Sequence, residues 1–217
     1  MTDMTLVIGN KNYSSWSLRA WLMLKQTDVP FDEILIPLDR PGFKDEILAH
    51  SAAGCVPVLK TGVRAVWDSL AIGEFLAEIF PQAGLWPVDA MVRAEARAVA
   101  CEMHSGFDAL RRHMPMDLRA RLPGRGQGPG VAMDIERITA IWRTCRAEHA
   151  GDGAFLFGGF SIADAMFAPV VGRLHTYGVP LDDICQAYAD AVRVQPAMRA
   201  WADAAASETW VIEHAVL

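Results

Sequence analysis

The chain is 217 residues long, 52% hydrophobic, and carries a formal charge of −6; that length fits one large domain or two small ones, with ample apolar content for a core. The charge is evenly spread, with 7 basic against 10 acidic residues over positions 1–82 and 13 against 16 over the rest, so the concentrated basic face of a nucleic-acid-binding protein is excluded. The opening MTDMTLVIGN has no basic stretch ahead of a long apolar run, and no apolar run approaches the roughly 20 residues of a membrane span, which points to a soluble, cytoplasmic protein without a membrane partner.

In chain order, TLVIGN reads as a strand, and Ser15 to Thr27 places Leu18, Trp21, Leu22 and Leu24 on one helical face. Phe31 to Pro37 is again a strand, so the opening is a βαβ unit, whose right-handed crossover makes the two strands parallel. Gly42 to His50 is a short helix. Pro57 to Lys60 and Arg64 to Trp67 flank a Thr61-Gly62 turn and form a hairpin. A helix follows from Ser69 to Ile79, with Leu70, Ile72, Phe75, Leu76 and Ile79 as its stripe.

After FPQAGLWP the strand signal stops. Asp89 to Arg121 reads as one long helix or two, and further helices are predicted over Val131–Ala150, Ser161–Tyr177, Leu181–Val194 and Ala197–Ala206. The stretch LPGRGQGPG, Leu122 to Gly130, holds too much glycine and proline for either element and reads as a surface loop. Residues 1–82 thus form an α/β domain, 83–88 a linker and 89–217 an all-helical domain. Cys55, Cys101, Cys145 and Cys185 are far apart, with no zinc-type spacing, and read as reduced, mostly buried thiols; no metal site is expected.

Three spots carry chemistry. The first is YSSWSLRAWLML, Tyr13 to Leu24, with Ser14, Ser15 and Ser17 at the mouth of the first helix, where a single cap requires one serine. The second is CVPVL: Pro57 opens a strand, and in cis it would turn the N–H and C=O of Val56 sideways. The third is WDSLAIGEFL, where Asp68 and Ser69 begin a helix.

Taken together, SSWSLRAWLML, then VPVL, then DSLAIGEFLAEIFP resemble the N-terminal domain of cytosolic glutathione transferases of the serine type, in their zeta, theta and related bacterial branches. GGFSIADAMFAPVV resembles the S-x-A-D capping motif of that superfamily's helical half, so the resemblance spans nearly the whole chain. It implies a thioredoxin-like α/β domain, a helical domain, glutathione as co-substrate, a small electrophile as second substrate, a detoxifying role and a homodimer. Thiol activation falls on Ser15 or Ser14; Val56 and Pro57 hold the glutathione backbone, and Asp68 and Ser69 its γ-glutamyl end. The theta-type motif, with its serine four residues before an arginine, favours Ser15, and the zeta-type motif favours Ser14. The chain departs from the zeta pattern at Trp16, where a cysteine is usual, and at Thr176, where an arginine is usual.

Such chemistry suits these residue types. A free thiol near pKa 8.5 is only a few per cent thiolate at neutral pH, and a hydroxyl bond plus a helix N-terminus favours the ionised form. Ser17, further into the helix, is expected to turn back to the chain. Ser161 and Asp164 read as a capping box. Met103, Phe107 and Leu110 read as core, and Arg111, Arg112, Arg119, Arg121 and Arg125 as a solvated face, one of which could hold an anionic co-substrate. The leading function is a glutathione transferase; the alternatives are a glutathione-dependent isomerase of the maleylacetoacetate type or a non-catalytic glutathione-transferase-like binding protein.

Overall fold

A computed structural model describes residues 4–212. The first half runs β1 (Met4–Ile8), α1 (Ser15–Lys25), β2 (Asp32–Leu35), α2 (Phe43–Leu48), β3 (Val58–Thr61), β4 (Arg64–Trp67) and α3 (Ser69–Ile79). The strands form one sheet in the order β2-β1-β3-β4, with β1 and β2 parallel and the other pairs antiparallel. This is the βαβ–αββα order that the hydrophobic periods predict. Side chains alternate across a strand, and β1 divides accordingly: Met4, Leu6 and Ile8 enter the main core, while Val7 joins Ile36, Ile47 and Val58 on the face toward α2.

A 3-10 turn at Pro81–Ala83 leads to α4 (Ala90–Ser105), α5 (Asp108–His113), α6 (Val131–His149), α7 (Ile162–Tyr177), α8 (Asp183–Val194) and α9 (Pro196–Ala206). The segment read as helical from Asp89 to Arg121 is therefore two helices and a coil. The break falls at Gly106 and Phe107, the latter in the left-handed region at φ 61°. The second helix stops ahead of Pro115, because the residue before a proline is driven out of helical geometry.

Helix α7 is the centre of the molecule, and every residue from Ile162 to Tyr177 except His175 is buried. It packs on α1, α4 and α8, so the core runs without interruption from the sheet's helices into the helical half. Its start is the capping box expected from the sequence: Asp164 Oδ2 accepts from Ser161 N at 2.9 Å and from Ser161 Oγ at 2.9 Å, and Oδ1 accepts from Leu156 N at 3.0 Å. Among the described residues no helix is long and apolar enough to cross a membrane.

Candidate active site

The register of the sheet gathers the three spots at one end. Val7 pairs with Val58, and Val58 with Trp67. The end of β1, from which the chain turns into α1, therefore lies beside the start of β3, and the Val56-Pro57 step lies opposite Asp68-Ser69 at the end of β4. The Val56-Pro57 bond is cis, with Pro57 buried and Val56 half-buried.

At the mouth of α1 the serines divide their work. Ser14 is the N-cap: its Oγ accepts from Ser17 N at 3.3 Å and donates to Ser17 Oγ at 2.7 Å. Ser17 is fully buried and accepts from Gly9 N at 3.0 Å, turned back to the chain as its position predicts. Ser15 differs from both. Its Oγ accepts from Arg173 Nη2 at 3.2 Å, which leaves its own O–H to donate.

Asp68 begins α3 at φ 73°, a conformation costly for a residue with a Cβ. Its Oδ1 accepts from Leu70 N at 2.8 Å and Ala71 N at 3.2 Å, and Oδ2 lies 3.1 Å from His104 Nε2 of α4. Asp68 is thus the helix cap as well as a charge at the site. Capping leaves Ser69 at the mouth of the helix; its hydroxyl is buried, 1% exposed by residue, and has no hydrogen-bond partner. An orphaned hydroxyl at a helix N-terminus suits a carboxylate that would restore its bond, so the residues present fit the γ-glutamyl end of glutathione.

Sequence reading named Arg111 among the arginines of which one could hold an anionic co-substrate, but did not bring together the most unusual feature here, a group of arginines near Trp16. The Arg19 and Arg111 guanidinium carbons lie 4.5 Å and 5.1 Å from the Trp16 ring centroid. Burial pushes Arg19 down to about 9 and Arg173 down to about 10, and in both cases the charge of Arg111 adds to the effect. Burial also lowers Arg111. Among the described residues none of the three forms an ion pair, and Arg19 Nη1 and Arg111 Nε have no hydrogen-bond partner. The available signal was an arginine inside an otherwise uncharged apolar run, as at "VVGRLHTY".

The solvated-face reading therefore needs correction for two residues. Arg111 donates to the carbonyls of Met103 and His104, and Arg119 ties the segment after α9 to the turn leading into α1 through the Glu208 and Trp210 carbonyls and the Tyr13 hydroxyl. The cysteine reading also needs adjustment. Cys145 and Cys185 are buried, with thiols pushed up to about 12 and about 11 by burial, whereas Cys55 and Cys101 are exposed. A cavity of about 320 Å³ between α7, α8 and α9 shares no residue with the serine end of the sheet.

Fold and site together define a two-part protein: an α/β domain with a polar, cation-lined end, closed over by a helical domain. Residues 13–79 match the glutathione S-transferase N-terminal domain model and residues 93–204 the C-terminal domain model, and the chain belongs to the glutathione S-transferase family. It is 26% identical over 168 residues to a probable maleylacetoacetate isomerase of Caenorhabditis elegans, covering 77% of each chain. It is 34% identical over 103 residues to a maleylpyruvate isomerase of Ralstonia sp, covering 43% of this chain and 49% of that one. A glutathione transferase homolog from Burkholderia gl BGR1, solved with bound glutathione, shares the fold at a TM-score of 0.71 and 22% identity, over 95% of this chain and all (100%) of the other.

Proposed function

We propose that the protein is a glutathione S-transferase in which Ser15 donates a hydrogen bond to the glutathione sulfur and the thiolate attacks a small electrophile. The observation that carries this reading is the division of labour among the serines: Ser14 caps, the fully buried Ser17 ties back to Gly9, and Ser15, which makes neither bond, accepts from Arg173 and keeps its O–H to donate. In the attack the sulfur lone pair forms the new S–C bond, and the leaving group departs with its electron pair. Val56 and Pro57 hold the peptide backbone of glutathione. Ser69 meets the γ-glutamyl carboxylate, and the Asp68 carboxylate lies near its ammonium. The family membership and a neighbour solved with glutathione support this reading.

The test begins with calorimetric binding of glutathione. Ser69→Ala removes a charge-assisted hydrogen bond worth about 1.5 to 3 kcal/mol, which raises Kd roughly ten- to hundredfold. An unchanged Kd would remove Ser69 from the site. A non-catalytic binding protein would hold glutathione without turning over any member of a panel of electrophiles.

The unpaired arginines favour a second reading, glutathione-dependent isomerisation of an anionic substrate; two of the relatives are named as isomerases, of maleylacetoacetate and of maleylpyruvate. Two conjugates of similar size separate the readings: S-(carboxymethyl)glutathione carries a charge next to sulfur and S-propylglutathione does not. The isomerase reading expects the charged conjugate to bind about tenfold more tightly, as a charge-assisted bond would give, and the preference to be lost in Arg111→Gln. Equal affinity for both conjugates would leave the transferase with a neutral electrophile. Isomerisation also regenerates glutathione, so steady conversion of maleylacetoacetate with no net loss of glutathione distinguishes the two outcomes directly.

A further inference from the structure

We infer that Arg173, supplied by the helical half of the chain, is a positioning residue for the thiol-activating hydroxyl: it holds Ser15 with its proton facing the sulfur. The inference rests on the glutathione reading above and goes beyond it, because it makes the α1–α7 contact part of the activating device.

The geometry is specific. Arg173 is 6% exposed and anchored at both ends of its fork, Nη1 to the Met114 carbonyl at 2.5 Å and Nη2 to Ser15 Oγ at 3.2 Å. The segment carrying Met114 is itself tied down. Thr176 Oγ1 donates to the Asp117 carbonyl at 2.8 Å, and Asn12 Nδ2 donates to Asp117 Oδ1 at 2.7 Å, so the coil after α5 braces both α7 and the turn leading into α1. A Cβ at Gly172 would lie 2.7 Å from Leu118 Cδ2, so the residue before Arg173 is small where that coil passes closest.

The chemistry follows from hydrogen-bond bookkeeping. A serine oxygen that accepts from a guanidinium has one lone pair committed, and its O–H is both polarised and confined to the remaining directions. Arg173 is buried without an ion pair, and an uncompensated buried cation is unfavourable until an anion forms nearby. A thiolate beside Ser15 is such an anion. The other charged and titratable groups around this point are Arg19 from α1, Arg111 from α5, His104 from α4, Asp68 ahead of α3 and Tyr177 on α7 itself. The three arginines act in the same sense on the thiol, and Asp68 opposes them.

The experiment is a pH titration of the ultraviolet absorbance of bound glutathione thiolate in Arg173→Gln and Arg173→Lys, each with Ser15 and with Ser15→Ala. With Ser15 present, Arg173→Gln should raise the thiol pKa by about one unit, the size of a lost hydrogen bond and charge, with glutathione affinity nearly unchanged. Arg173→Lys should recover part of that shift. In the Ser15→Ala background the arginine has no hydroxyl to orient, so the charge-conserving Arg173→Lys should shift the pKa hardly at all and Arg173→Gln should keep only the part that comes from its lost charge. A merely structural Arg173 would lower the melting temperature and leave the pKa in place, and this would overturn the inference. Equal shifts in both backgrounds would also overturn it, showing a charge effect that bypasses Ser15. Should Arg173→Gln fail to fold, Arg173→Lys in the two backgrounds decides the same question, since a single ammonium does not span both anchor points. If the parent protein does not bind glutathione at all, the transferase reading itself fails; binding with an unmoved pKa in the variants removes only the role given to Arg173.

Discussion

Ser15→Ala is expected to raise the pKa of bound glutathione and to cut turnover at neutral pH by at least tenfold, with little change in glutathione affinity. The asymmetry follows from which state makes the bond in the proposed mechanism: there the hydroxyl donates to the thiolate and hardly at all to the thiol, so its loss is felt in reactivity more than in binding. Each pKa unit corresponds to about 1.4 kcal/mol, or a factor of ten in the ionised fraction once the pKa lies above the working pH. Ser14→Ala should behave differently. Ser14 spends its hydrogen on Ser17 Oγ and its lone pair on Ser17 N, so its removal should cost about 1 kcal/mol of stability as a lost N-cap and leave the thiol titration largely in place. If the Ser14→Ala and Ser15→Ala proteins both titrate like the parent, the serine mechanism is wrong, and the helix N-terminus and arginines act without it.

Asp164→Ala is expected to have the largest effect on stability. The carboxyl is fully buried and gathers the N–H groups of Leu156 and Ser161 together with the Ser161 hydroxyl. Truncation strands these donors inside the protein, at a cost of about 3 kcal/mol or more. For a chain of this size that lowers Tm by roughly 10 °C, and an unchanged melting curve would contradict the structural role. A pH signature accompanies it. Burial raises the Asp164 carboxyl from 3.8 to about 6, against the lowering effect of its N–H partners. Between those values the folded protein keeps a proton that the unfolded chain has released, so this group makes stability fall as pH rises from about 4 to about 6. The loss amounts to about 3 kcal/mol over the window. Asp164→Asn keeps an acceptor for only one of the two N–H groups, which meet different carboxylate oxygens; it starts from lower stability but carries no titratable group and should flatten that slope, which melting curves over the same pH range would show.

The sequence by itself determined the elements and their order wherever the cause was local. The Thr61-Gly62 turn appears between β3 and β4 with Gly62 at φ 57°, α3 begins at Ser69 behind its Asp68 cap, and the Ser161–Asp164 box opens α7. Each is a matter of a few neighbouring residues, where backbone preference and a nearby side chain suffice. The serines at the mouth of α1, the Val56-Pro57 step and Asp68-Ser69 stand out as three local features, and the family resemblance is what joins them and gives Ser14, Ser15, Val56, Pro57, Asp68 and Ser69 their expected roles. After Asp89 the apolar period left one helix or two open, a choice that the left-handed Phe107 decides, and it carried the helical reading on to Arg121 although α5 ends at His113 ahead of Pro115.

The arginines were decided only by the tertiary structure. A periodic pattern says that a helix has a buried face, but not which helix will cover it. Ser15 and Arg173 are separated by 158 positions and meet because α7 lies against α1. Arg111 reads as one more surface charge in "LRRHM" until α5 turns it onto the ring of Trp16. Burial, desolvation and the mutual repulsion of these cations are properties of that packing, so the electrostatics of the site arise where distant segments close on one another.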